Sequence, residues 1–240
     1  MRYDTIFFDA DGTLYDFDTS EAEALSETLI NAGIEPTPAV IALYHEINLA
    51  QWKALERGET TREKLRVDRF RILFEEMARQ GVPSNANPLT LCEYYVERLS
   101  EKCILIPGAE DVCRKLSKYA SLYIITNGLT RVQTGRFSRS PISKYFKDVF
   151  ISESMGATKP ERAYFDMALE RAGIKSEEEK HRVLVVGDSL TSDIAGGIGA
   201  GLDTCWYNPE CHESGDVVPT YTIKKLDELY EICGVPKLEY

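Results

Sequence analysis

The sequence predicts an α/β fold, a Rossmann-like doubly wound parallel sheet with a helical cap inserted after its first strand. Three observations carry that prediction. Short apolar runs rich in β-branched and aromatic residues occur at Thr5 to Phe8, Leu122 to Thr126, Val149 to Ser152, Val183 to Gly187 and Thr204 to Tyr207, as strands buried on both faces require. From residue 107 onward these runs alternate with helix-like segments, and such alternation builds a parallel sheet with helices on both sides. Between Phe8 and Leu122 lies far more chain than the roughly dozen residues a crossover needs, and its periodicity is helical.

In chain order, the first strand runs into FFDADGTLYDF, residues 7 to 17, where Asp9 and Asp11 stand one alanine apart and Gly12 allows a tight turn. The insert follows. Ala22, Leu25 and Leu29 form one apolar stripe, Leu43, Ile47, Ala50 and Ala54 a second, and Phe70, Leu73, Phe74 and Met77 a third. Gly33, Gly58 and Gly81 stand where those helices end, and a loop from Pro83 to Pro88 precedes a further helix around Leu91 to Leu99. Ile106, Pro107 and Gly108 mark the return, so residues 1–14 and 104–240 are assigned to the core and residues 15–103 to the cap. Helices at Ala109 to Tyr119, Glu161 to Ala172 and Ser192 to Ala200 then separate the later strands. Gly196, Gly197, Gly199 and Gly201 do not satisfy G-x-G-x-x-G and are read as close helix-to-sheet packing.

Composition narrows the function. A chain of 240 residues can hold one large domain or a core with an insertion. With 28 basic against 39 acidic residues, a net charge of −11, it would repel a nucleic-acid backbone; a small phosphorylated metabolite held by a local cation or metal is still compatible. The six cysteines form no C-x-x-C pair, so neither a disulfide framework nor a zinc ribbon is expected. The N-terminus has no basic region leading into a long apolar stretch, and no segment reaches about 18 apolar residues. A cytoplasmic protein without membrane contact, monomeric or homodimeric, is the expectation.

In an open parallel sheet the reactive groups gather beyond the carboxyl ends of the strands. Asp9 ends the first strand, Thr126 and Asn127 the second; Lys159 follows the third, and Asp188, Ser189 and Asp193 follow the fourth. Alternation along an extended strand end points Asp9 and Asp11 to the same side. Carboxylates, a lysine, a hydroxyl and an amide on one rim suit phosphoryl transfer, because a phosphate dianion repels a carboxylate nucleophile until a hard divalent cation and a lysine neutralise charge. Taken singly, Asp9 could cap a turn and Asp193 could be a helix-start charge. Several like charges at one strand end are not explained that way unless a cation joins them.

The strings DADGT, ITNG, ATKP and GDSLTSD, in that order, resemble the four motifs of the haloacid dehalogenase superfamily, and the match spans the whole core. The resemblance implies a Mg²⁺-dependent phosphomonoester hydrolase. In it Asp9 would be the nucleophile that forms an aspartyl-phosphate, and Asp11 the general acid and base, its backbone carbonyl also on the metal. Thr126, through its hydroxyl, and Asn127, through its backbone amide, would bind phosphoryl oxygens. Lys159 would neutralise phosphate and Asp9 together. Asp9, Asp11 and Asp188 would hold Mg²⁺, with Asp193 orienting from behind. Dehalogenating members are understood to lack the second aspartate, so Asp11 implies a phosphate ester.

The runs YDFDTSEAEAL, ITNGLTRVQ and ISESMGATKP resemble the subgroup that dephosphorylates pyrimidine and non-canonical nucleoside monophosphates, which implies a 5′-nucleotidase. Tyr15, Phe17 and Trp52 could stack on a base or pack in the core. His45, His181 and His212 show no metal-ligand spacing and are read as surface or cap residues. The rival readings are a phosphosugar phosphatase or a β-phosphoglucomutase-like phosphomutase on the same core, and a non-catalytic binding module. The last predicts a lost nucleophile or metal ligand, and none is missing.

Overall fold

The structure, a computed structural model, describes residues 2–235. Six strands, β1 (Thr5–Asp9), β2 (Ser121–Thr126), β3 (Phe146–Ile151), β4 (Val183–Gly187), β5 (Asp203–Tyr207) and β6 (Tyr221–Ile223), form one sheet in the order β3-β2-β1-β4-β5-β6. Every neighbouring pair is parallel. β1 is central, with Phe8 opposite Ile124 of β2 and Val186 of β4. Period-2 alternation divides the apolar side chains between two layers. Ile6 and Phe8 join Leu122, Ile124, Leu184 and Val186 in one core cluster, while Phe7 joins Ile125, Val183 and Val185 in another.

Four helices come between β1 and the rest of the sheet: α1 (Phe17–Asn31), α2 (Pro38–Glu56), α3 (Arg62–Arg79) and α4 (Pro88–Glu101). Each starts on a side-chain cap, from Asp16, Thr37, Thr61 and Asn87 in turn, a device worth about 1 kcal/mol apiece. Gly33, Gly58 and Gly81 follow the first three helices with positive φ, as their placement in the sequence suggested. The third stripe and, from the first, Leu25 and Leu29 enter the helices' shared core, with Ala24 in place of the half-buried Ala22, and there Tyr44, Phe70 and Tyr95 meet with ring centroids 5.2 to 5.6 Å apart. The second stripe differs from expectation. On α2 the buried residues are Tyr44 and Asn48, whereas Leu43, Ile47 and Ala54 are half-buried and Ala50 is exposed. Asn48 can be buried because Glu21 and Arg69 satisfy its amide, at 2.5 and 3.0 Å.

The chain passes between sheet and insert twice, and the two passages pair. Asp16 N donates to the Ile104 carbonyl at 3.0 Å, Ile106 N to the Leu14 carbonyl at 2.9 Å, and Tyr15 bridges to Leu105 in antiparallel fashion. Beyond the return lie α5 (Ala109–Leu116), shorter than the expected Ala109 to Tyr119, and α6 (Thr130–Arg139). α6 and the edge strand β6 were not anticipated, and β3 starts at Phe146, before the apolar run at Val149. The segment expected as a helix from Ser192 to Ala200 is a π-type turn, Leu190–Ile194, followed by a short helix, Ala195–Gly199. Of the four glycines read as close helix-to-sheet packing, Gly197 lies against Thr204 and Val185 of the sheet and Gly196 against Phe165 of a neighbouring helix, whereas Gly199 and Gly201 have open space where a β-carbon would stand. Among the described residues no helix is long and apolar enough to cross a membrane, and all six cysteines are free.

Candidate active site

From β1 the sheet grows outward through β2 and β3, and from β4 outward through β5 and β6, so the switch point lies where β1 and β4 end side by side. Asp9 ends β1 and is buried, at 6% exposure. Lys159 reaches it from the loop after β3, held by Asn127: Asn127 Nδ2 donates to the Lys159 carbonyl and Lys159 N donates to Asn127 Oδ1, both at 2.9 Å. The buried ammonium donates to Asp9 Oδ1 at 2.5 Å, to Asp193 Oδ1 at 2.7 Å and to the Ile125 carbonyl at 3.1 Å. All three of its protons are therefore committed. Asp193 Oδ2 accepts from Ser189 N at 3.1 Å, so both of its oxygens are engaged.

Asp188 follows β4. Its Oδ1 accepts from the Thr13 hydroxyl at 3.2 Å, and the Trp206 indole fixes its carbonyl at 2.7 Å. Gly12, at φ +83°, passes so near that a β-carbon there would stand 2.6 Å from Asp188 Oδ2. The Thr126 hydroxyl accepts from Gly128 N at 3.0 Å, which leaves its own proton to give. Asp11 faces α6, where Gln133 Nε2 donates to Oδ2 at 2.6 Å and Arg136 Nη1 donates to Oδ1.

Asp9 and Asp193 thus share one ammonium, with the Asp188 carboxylate close by and unpaired with it. Burial, then the like charges of Asp193 and Asp188, push the Asp9 carboxyl well above its ordinary value against the pull of Lys159. Burial, then Asp193, pushes Asp188 up to about 7. Asp188 is nonetheless open to the cavity: protein rings it closely enough to penalise its charge, while its surface is accessible to an ion. For Lys159 burial works against the charge, but Asp193 and Asp9 outweigh it and raise the pKa.

Asp9, Asp188 and Asp193 each offer an oxygen within 4.8 Å of the others. Asp9 Oδ2 and Asp188 Oδ2 have no protein partner among the described residues. An oxygen-only donor set with surplus negative charge fits a hard divalent cation such as Mg²⁺.

These residues line a cavity of about 650 Å³, within the range of small-molecule sites. Phe17 and Trp52 line it from the helical insert, whereas Tyr15 is fully buried and packs edge-on against Phe137 at 5.5 Å, a core role. His45 pairs with Glu21 at 2.7 Å and His212 with Glu210 at 3.0 Å, both on the cavity lining; His181 is exposed elsewhere. The sequence reading passed over Gln133 and Arg136. Their three-residue spacing, between Val132 and Phe137 and after a strand-ending Thr126, was the available sign of a helix with a polar buried face.

An acidic cluster around one lysine, at the switch point of a parallel sheet with a helical insertion after its first strand, defines a Rossmann-like α/β protein with a polar site suited to a divalent cation and a phosphate. The chain belongs to the haloacid dehalogenase-like hydrolases, whose family model matches residues 3–201. It is 40% identical over 235 residues to YfnB of Bacillus subtilis, which carries the family's name, covering 98% of this chain and 97% of that one. It is 35% identical over 233 residues to the pyrimidine 5′-nucleotidase YjjG of Escherichia coli, covering 97% and 98%. The pyrimidine 5′-nucleotidase PynA of Streptococcus pneumoniae is also 35% identical, over 242 residues, with 100% of this chain and 98% of that one covered. A magnesium-bound crystal structure of YfnB, described as revealing interdomain movement, superposes with a TM-score of 0.88 over 97% of this chain and 99% of that one. The L-2-haloacid dehalogenase of Xanthobacter autotrophicus, 16% identical, superposes at 0.71 over 97% and 98%, a likeness of fold alone. With these relatives the chain is an enzyme, a phosphoric monoester hydrolase.

Proposed function

We propose that this protein is a Mg²⁺-dependent 5′-nucleotidase that acts through an aspartyl-phosphate on Asp9, with residues 15–103 serving as a cap over residues 1–14 and 104–240. The observation that carries the reading is Asp9 itself, buried at the switch point with Oδ1 held by Lys159 and Oδ2 free to attack. Asp9, Asp188 and the Asp11 carbonyl would hold Mg²⁺, which when bound neutralises charge on the phosphate. Lys159 fixes the Asp9 carboxylate, and Asp193 and Asn127 fix Lys159.

In the first half-reaction Asp9 Oδ2 forms a bond to phosphorus as the ester P–O bond breaks, and Asp11 gives a proton to the departing oxygen. The Thr126 hydroxyl and the Asn127 backbone amide donate to the phosphoryl oxygens. In the second, Asp11 takes a proton from water as that water attacks phosphorus, and the Asp9 carboxylate leaves. Nucleoside monophosphates are the substrate class: the relatives named as pyrimidine 5′-nucleotidases support it, as does the placing of Phe17 and Trp52 on the cavity.

The test is phosphate release with Mg²⁺ across ribo- and deoxynucleoside monophosphates and sugar phosphates, with Asp9→Asn as the blank. A preference for pyrimidine nucleotides that vanishes in Asp9→Asn is the expected result. Substantial turnover by Asp9→Asn would overturn the nucleophile, and equal rates on sugar phosphates and nucleotides would overturn the substrate class.

A further inference from the structure

Proton delivery by Asp11 requires that its carboxylate be aimed, yet β1 ends two residues before it, so the sheet does not fix it. Its aim comes from α6. Gln133 and Arg136, three residues apart on one helical face, donate to one carboxylate oxygen each. Both donors are completely buried.

Each donor is itself held. Gly128 approaches the Gln133 amide so closely that a β-carbon would collide with Nε2. Arg136 Nε donates to the Lys102 carbonyl at 3.1 Å, the Arg136 carbonyl accepts from the Cys103 thiol at 3.4 Å, and the guanidinium lies 4.8 Å from the Tyr15 ring centre. Lys102, Cys103 and Tyr15 belong to the two passages that join the sheet to the helical insert. Among the described residues, Gln133 Oε1 and Arg136 Nη2 are buried without a hydrogen-bond partner. Burying a guanidinium and an amide with unmet valences is costly, and an apolar pair would fill the same space without that cost. The arrangement makes sense if the two side chains serve Asp11.

We propose that Gln133 and Arg136 are positioning residues for the reaction, which fix the Asp11 carboxyl group so that its acid form can pass a proton to the leaving oxygen, and tie its position to the two passages under the cap. This rests on the reading of Asp11 as the proton donor. Movement of the insert that shifts the Lys102 carbonyl or the Tyr15 ring acts on the guanidinium, and through it on Asp11. The step served is the first half-reaction: the bond from Asp9 to phosphorus forms, the ester P–O bond breaks, and the proton passes from Asp11 to the departing oxygen.

The experiment compares two esters by kcat/KM, which reports events up to the first irreversible step. The leaving group of p-nitrophenyl phosphate departs without a proton, whereas the alkoxide of a nucleoside 5′-monophosphate needs one. Gln133→Met keeps the volume and removes the donor. It should lower kcat/KM for the nucleotide by about tenfold or more, and that for the aryl ester by less than about threefold, since general acid catalysis contributes about 10²–10⁴-fold. Arg136→Lys should show the same split, and Gln133→Met keeps the test decisive if Arg136→Lys does not fold. Equal losses on both esters would overturn the proposal. Asp11→Asn is measured alongside: no split in Asp11→Asn overturns the reading of Asp11 itself, whereas a split there that is absent from Gln133→Met overturns the positioning role alone. The double variant should lose no more on the nucleotide than Asp11→Asn does.

Discussion

Neutralising Asp188 should stabilise the metal-free protein even as it disables the enzyme. Asp188 Oδ1 accepts from Thr13, and an asparagine retains that acceptor, so Asp188→Asn removes a charge with little change of shape. The carboxyl is pushed from 3.8 to about 7 by burial and by Asp193. At about 1.4 kcal/mol per pK unit that corresponds to about 4 kcal/mol as an upper bound. Water in the cavity screens the group, so about 2 kcal/mol is the expectation. For a chain of this size that is a rise of about 4–8 °C in Tm.

The sign follows from linkage. A carboxyl whose pKa is higher in the folded state than in the unfolded chain binds its proton more tightly when folded, so stability falls as pH rises from about 4 to about 7 and then levels. Thermal melts in EDTA at several pH values across that window test this. Wild type should lose stability through the window, Asp188→Asn should lose less and melt higher at pH 8, and Mg²⁺ should raise the Tm of wild type much more than that of the variant. A variant that melts below wild type in EDTA, or keeps the full pH slope, would refute the account of charge crowding.

Two further outcomes are expected. Trp52→Ala, which removes an aromatic wall of the cavity, should raise KM for nucleoside monophosphates by about tenfold, since stacking on a base is worth about 1–3 kcal/mol, and leave sugar phosphates nearly unchanged; equal effects on both classes would remove Trp52 from base recognition. Phe70→Ala, at a fully buried ring between Tyr44 and Tyr95, should cost about 3–5 kcal/mol in urea unfolding, and a loss below about 1 kcal/mol would mean that the insert's core closes around the gap.

The inner strands were legible because they are buried on both faces and consist almost entirely of apolar side chains, as in TIFF and VLVVG. The outer ones were less so. β3 carries the exposed Lys147 and Asp148 directly after its first residue, Phe146, and β6 spans three residues, too few to establish a period. The catalytic candidates could be read because their roles attach to strand ends, and Asp9, Thr126, Lys159 and Asp188 do meet at one switch point. Gln133, Arg136, Asn48 and Arg69 could not, for a common reason. Each is a polar residue buried by virtue of a partner far away in sequence, and hydrophobic periodicity records only burial achieved without partners. The second stripe of the insert was legible only in part for the same reason: Leu43 and Ile47 pack half-buried against the core, while the fully buried positions of α2 are Tyr44 and Asn48.

The central place of β1 has a consequence for biosynthesis. β1 is the first strand made, yet the neighbours that cover its edges, β2 and β4, are made long afterwards. At ~5–20 residues per second, the chain from Asp9 to Gly187 takes on the order of ten to forty seconds to emerge. Until β2 is made the apolar segment TIFF has no strand to pair with, and its other edge stays open until β4 follows, while the helices of the insert can settle through local contacts. The nascent protein is therefore most exposed to aggregation and to chaperone capture at β1, and synonymous codon changes that slow translation between residues 10 and 126 should lower soluble yield more than equal slowing after residue 187.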